Sequence, residues 1–206
     1  MSVDDERIRE AVQNTEVLRA PKQHLSTFGT TSIHYYLVTE PAYGALVGKA
    51  ATHETVIREG RVIAEKPRIV TPYYLTHVEG FSSGAKRYLD MLINRYGPSA
   101  PGLFYSYRNE PQGLNLVSEK LLAVVDRLNM ELDQRGDPLV SIIRGVDELW
   151  DVALLKFISE LTRNSVPDNM LRLGSRGLLD MDASGVPRDA RVRIEELFTI
   201  MERGGW

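Results

Sequence analysis

All nine tyrosines and all four histidines of the chain lie between His24 and Tyr107, and residues 108–206 contain neither. Tyrosine favours the pleated, half-buried surface of a β-sheet. The partition therefore predicts a strand-rich first half and a helical second half. It also directs the search for proton-transfer, ring-stacking or metal chemistry involving histidine or tyrosine to the first half. Two readings share that pattern. One is a functional face, and the other is a sheet whose tyrosines bury their rings and leave their hydroxyls at the surface.

Periodicity refines this division. Ile8, Ala11, Val12 and Leu18 fall near one helical stripe, acidic residues occupy the first turn, and Pro21 stops the pattern, which predicts an opening amphipathic helix. Residues 32–38 predict a strand. Segments 55–59 and 61–64 flank Gly60 and predict a β-hairpin turning there, and 69–78 extends after Pro67 with a break at Pro72. Ser82, Ser83 or Gly84 would cap a helix over 85–96 that Gly97 and Pro98 end. A short strand over 103–108 and a turn over 109–113 follow. Val117, Leu121, Val124, Val125, Leu128 and Leu132 recur at offsets of three and four, giving the clearest helix, and Gly136 closes it. Residues 139–144 fit either a buried strand or the start of a helix. Helices are predicted over 146–163, 168–173 and 190–202, with a loop over 180–188. No low-complexity linker marks a boundary. The expected fold is one α+β domain over 1–206, with a strand-rich subregion 1–111 and a helical subregion 112–206. In it, an antiparallel or mixed sheet from the N-terminal half is covered by helices mostly from the C-terminal half.

With 43% hydrophobic and 26% charged residues in 206, the chain falls in the ordinary globular range and can bury a core. A net charge of -3 argues against a generally basic surface and so disfavours nucleic acid as a partner. Zero cysteines exclude disulfides, thiolate nucleophiles and cysteine-ligated metals. Six of the first 10 residues are charged where a secretory signal needs an apolar run, and the most apolar stretch, 139–161, is interrupted by Arg144, Asp147, Glu148, Asp151 and Lys156. A cytoplasmic, non-membrane protein is expected.

Gly80, Ser82 and Gly84 match Gly-x-Ser-x-Gly between a predicted strand and a predicted helix, the setting of a hydrolase nucleophile elbow. An α/β-hydrolase places its histidine after that serine, whereas every histidine here precedes Ser82. Triads of other order exist, so Ser82, His34 and His77 stand as candidate catalytic groups. The plainer reading of Ser82 is a helix cap. The segment lacks the Gly-Lys-Ser/Thr ending of a phosphate loop, and Gly-x-Gly-x-x-Gly is absent, which excludes nucleotide binding by those routes. His77 and Glu79 lack the spacing of a His-Glu-x-x-His site, so neither a metal nor a cofactor is expected.

Strand alternation places His34 with Tyr36, Tyr73 with His77, and Tyr105 with Tyr107, each pair on one face of its segment. Joined across neighbouring strands, Tyr36, Tyr105, Tyr107, Arg108 and Glu110 would form a ligand site able to stack a planar group and hold an anion. In the helix from Val146, apolar residues spread around a wide face that includes Trp150, Leu154, Phe157 and Leu161. Such a helix is either central or shared, and the shared reading is a homo-oligomer seam around Trp150. Arg172, Arg176, Arg188, Arg191 and Arg193 motivate a DNA-binding reading of the C-terminal region. The expected function is a small-ligand or protein-binding module without enzymatic activity. Its alternatives are a metal-independent hydrolase or transferase using Ser82 or His34 and His77, and a DNA-binding regulator.

Overall fold

The computed structural model describes residues 3–41, 53–71, 80, 82–97 and 102–179. The described elements are α1 (Val3–Gln13), β1 (Glu16–Arg19), β2 (Thr31–Thr39), β3 (Thr55–Ala64), β4 (Arg68–Val70), α2 (Ser83–Tyr96), β5 (Gly102–Phe104), β6 (Tyr107–Val117), α3 (Leu121–Arg135), β7 (Val140–Arg144) and α4 (Trp150–Ser175), with a 3-10 turn at Asp147–Leu149. The architecture is α+β: a mixed sheet drawn mostly from the N-terminal half, with helices mostly from the C-terminal half. The chain gathers into two compact units, Met1–Glu65 with Ser106–Ser165, and Lys66–Tyr105 with Val166–Trp206.

The first unit is built on a five-stranded sheet of order β1-β7-β2-β3-β6. β7 runs parallel to β2, and the other neighbouring pairs are antiparallel. The periodicity of two sends alternate residues of β2 to opposite faces. Tyr36 and Val38 face α3 and join Ile57, Val140 and Ile142 in a core with Leu121, Val124, Val125, Leu128 and Leu132. Those α3 residues are the stripe that its sequence spacing predicts. Ile33, Tyr35, Leu37 and Val62 are buried on the other face. That face meets α4 through Tyr107, hydrogen-bonded to Thr162, and through Arg58, whose guanidinium lies 5.2 Å from the Trp150 ring centroid. Ala153, Leu154, Phe157 and Leu161 of α4 are buried, while Leu155 is exposed. Lys156 donates to the carbonyls of Val12 and Thr15 at 2.8 and 3.1 Å, supplying a cation where α1 ends.

Several local expectations change in three dimensions. Gly60 is not a hairpin turn: β3 runs unbroken through it, because the glycine lies under the ring of Tyr35 on β2. The Asn-Glu-Pro-Gln-Gly segment over 109–113 is likewise strand rather than turn. β6 is the edge of the sheet, where a proline has no ladder bond to lose on its open side, and the register shift opposite Glu59 and Gly60 absorbs the extra residue. Leu18 belongs to β1, not to the opening helix, and Val117 ends β6 instead of beginning α3. Residues 140–144 resolve as a strand with both faces covered, which accounts for their continuous apolar run. α4 continues through Pro167, so the separate short helix expected over 168–173 is its last part.

The second unit contains the two-stranded sheet of β4 and β5 and the helix α2. Arg68 stacks its guanidinium 5.4 Å from the Phe104 ring centroid across that pair. Gly97 closes α2 with φ +86 and returns its N–H to the Ile93 carbonyl. A positive φ at this position favours glycine.

Candidate functional site

The register of the first unit's sheet brings a polar group together on the α3 side, beyond the end of that helix. β2, β3 and β6 align His34 with Arg61 and Arg61 with Glu110, forming one row across three strands. In the adjoining row Tyr36 stands opposite Glu59. Arg108 shares this face through its alignment with Ile63, which itself lies opposite Ser32. The sheet thus collects His34, Tyr36, Arg108 and Glu110 from the predicted set and adds Glu59 and Arg61.

The geometry is closest at the centre. His34 Nε2 lies 2.6 Å from Glu59 Oε1, and the His34 ring centroid lies 4.7 Å from that of Tyr36 with the planes tilted by 40°. The side chain of His34 is 14% exposed and that of Glu59 is 34%, so the pair is partly shielded yet open to solvent on one side. Tyr36 is buried beneath them. Burial pushes its phenol above the ordinary value of 10; the Arg135 guanidinium acts against that rise and the Glu59 carboxylate adds to it. The hydroxyl is therefore a neutral donor between a cation and an anion. Arg135 is the last residue of α3, and Gly136 in a left-handed cap ends the helix there. At the rim, Arg61 donates to Ser32 Oγ at 3.3 Å and Arg108 donates to Glu110 Oε1 at 2.9 Å.

The remaining predicted residues lie elsewhere. Tyr107 aligns with Ala64 and points to the opposite face, toward Thr162. A position one residue from Arg108 on a strand must face the other way. Tyr105 lies between β5 and β6, and in the second unit its hydroxyl donates to Asn169 Oδ1 at 2.5 Å. Ser82 is the N-cap of α2: its backbone is extended and its Oγ accepts from the Ala85 N–H at 3.2 Å. His77 and Tyr73 lie outside the described residues, as does the expected helix over 190–202.

Glu59, Arg61 and Arg135 escaped the sequence reading. Their signal was present only in part. Taking Gly60 as a turn removed Glu59 and Arg61 from a common strand, and nothing in the spacing of α3 says which strand its last residue approaches.

A second charged group sits at the carboxyl ends of the parallel strands β2 and β7. Asp147 Oδ1 accepts from Arg58 Nη1 at 2.8 Å and from Thr39 Oγ1 at 2.9 Å, and Arg58 also stacks on Trp150. Asp147 is one of the charged residues that interrupt the apolar stretch 139–161, and its partners tie the 3-10 turn to the sheet. Elsewhere in this unit, a pocket of about 150 Å³ is lined by Pro21, His24, Phe157, Glu160, Leu161 and Asn164 among others. It contains none of the predicted site residues.

Among the described residues, no cluster of three or more histidine, aspartate or glutamate side chains is arranged to hold a metal ion. Among them too, no helix is long and apolar enough to cross a membrane. Compared with known proteins, the chain matches no family model, no curated protein and no solved structure.

Proposed function

We propose that the protein is a ligand-binding α+β module whose site is the sheet face around His34. Its floor is Tyr36 and Glu59, and its rim is Arg61, Arg108, Glu110 and Arg135. The observation that carries this reading is the cross-strand row of Glu110, Arg61 and His34 beside the Tyr36 and Glu59 pair. Arginine offers a planar fork suited to carboxylate or phosphate, and the partly exposed imidazole offers a ring surface. The fitting ligand is a small planar molecule with one anionic group. Glu59 and Glu110 oppose a second anionic group by like-charge repulsion, which favours a singly charged ligand or one that also carries a donor.

Titration with aromatic carboxylates and nucleoside monophosphates, followed by thermal shift and amide chemical shifts, tests this. Saturable binding by one class is expected, with perturbations centred on β2 and β3 and affinity lowered on the order of tenfold in Arg61→Ala. Perturbations that fail to saturate, or that are unchanged in Arg61→Ala, would remove the reading.

A second reading, metal-independent acid-base chemistry, is favoured by the 2.6 Å approach of His34 to Glu59. A carboxylate so placed orients an imidazole. On this reading, turnover of a generic ester or phosphate substrate falls by at least about 100-fold in His34→Ala and Glu59→Gln, and is untouched by Ser82→Ala. Loss in Ser82→Ala alone would transfer the chemistry to the serine.

A further inference from the structure

The outer edge of β6 ends the five-stranded sheet, and its two halves are built differently. Residues 107–112 carry charge, place Pro111 in the strand and contain the register shift opposite Glu59 and Gly60. Charge, proline and bulges are the devices by which an open edge resists pairing with another chain. Residues 113–117 have none of them. Here Leu114 is 64% exposed and Leu116 is 57% exposed. Their alignment with Arg58 and Val56 puts both leucines on the same face of the sheet. Two adjacent exposed leucines on an unguarded edge form a template for strand addition.

We propose that this half of β6 pairs antiparallel with the same segment of a second copy, about a two-fold axis at Asn115. Two relationships in the sequence select a second copy as the occupant. In that register Leu114 meets the partner's Leu116 and Leu116 meets the partner's Leu114, so the four leucines cluster on one face. Asn115 meets the partner's Asn115, and two carboxamides can exchange hydrogen bonds. Moving the axis by half a residue, between Leu114 and Asn115, sets each of those two against the other and loses the match. A two-fold pairing of identical edges is closed, so it ends at the dimer and joins the two sheets into one.

The absence of cysteine makes the test direct. Light scattering coupled to size exclusion, run on the full chain over a concentration series, is expected to show a dimer. Leu116→Lys should convert it to monomer, with the dissociation constant raised on the order of 100-fold and the circular dichroism spectrum retained. In parallel, oxidised Asn115→Cys should give a disulfide-linked dimer, since directly opposed strand residues fall within bridging distance. A monomer throughout the series overturns the proposal. So does a dimer that persists in Leu116→Lys, which would place the contact on another face such as the exposed side of α4. An edge that stays monomeric but captures added extended peptides would overturn it in favour of a foreign strand.

Discussion

The ring of Tyr35 on β2 lies against the backbone of Gly60 on β3, where a Cβ on the glycine would come within 2.5 Å of the phenolic oxygen and 2.8 Å of the Glu110 carbonyl oxygen. The phenol in turn donates to Asn109 Oδ1 at 2.8 Å on β6. One tyrosine thus spans three strands, crossing the middle one where it has no side chain.

Gly60→Ala should therefore destabilise the first unit by about 1–3 kcal/mol, through overpacking and displacement of Tyr35. Urea denaturation measures it. Tyr35→Phe, which removes the oxygen nearest the added methyl, should recover part of the loss when combined with Gly60→Ala, giving a coupling between the two positions. Additive losses would mean that Tyr35 and Gly60 do not constrain each other.

Alkaline pH should weaken the fold. Burial pushes the phenols of Tyr35, Tyr36 and Tyr107 above their ordinary value of 10, with Asn109 acting against the rise at Tyr35 and Thr162 against it at Tyr107. The unfolded chain releases these protons near pH 10 while the folded chain retains them, so protons bound by the folded state exceed those bound by the unfolded state. The contribution to stability is complete below pH 10 and is lost as pH rises through the folded values. Denaturation midpoints should stay level between about pH 8 and pH 9 and fall by about pH 11. Substituting phenylalanine at the three positions should flatten that fall.

Asp147→Ala should cost about 1–3 kcal/mol, because it removes the carboxylate acceptor shared by a guanidinium and a buried hydroxyl. The side chains of Arg58 and Asp147 are each 20% exposed and that of Thr39 is inaccessible, so solvent replaces their lost bonds poorly. Asp147→Asn keeps an acceptor and should lose less. Thermal unfolding of the two variants at low and high salt checks the order; a shielded pair of this kind should respond only weakly to salt.

The legible parts of this chain were those with a local cause. The α3 stripe, the Gly136 stop, the Ser82 cap and the β2 strand follow from spacing and backbone preference within a few residues, and each stands in the structure close to its predicted place. The segments that misled were those whose neighbours override local signals. Gly60 and the 109–113 segment carry turn chemistry, yet one lies under a ring and the other on an open edge that tolerates proline. Within the candidate site, alternation correctly paired His34 with Tyr36. It could not pair Tyr105 with Tyr107, because Tyr105 falls before the strand begins.

The amino-acid order alone determined the class of the fold, strands early and helices late, because tyrosine content and apolar period are properties of the chain itself. It also determined that thiol chemistry has no part here, since no cysteine is present. Tertiary structure decided the strand order, and with it the company each polar side chain keeps. The parallel entry of β7 beside β2 and the register of β3 between β2 and β6 set Glu59 and Arg61 next to His34. Register depends on which residues meet across a ladder, and shifting it by one position reverses every side chain. That choice is settled by burial of both faces together, and no single segment encodes it.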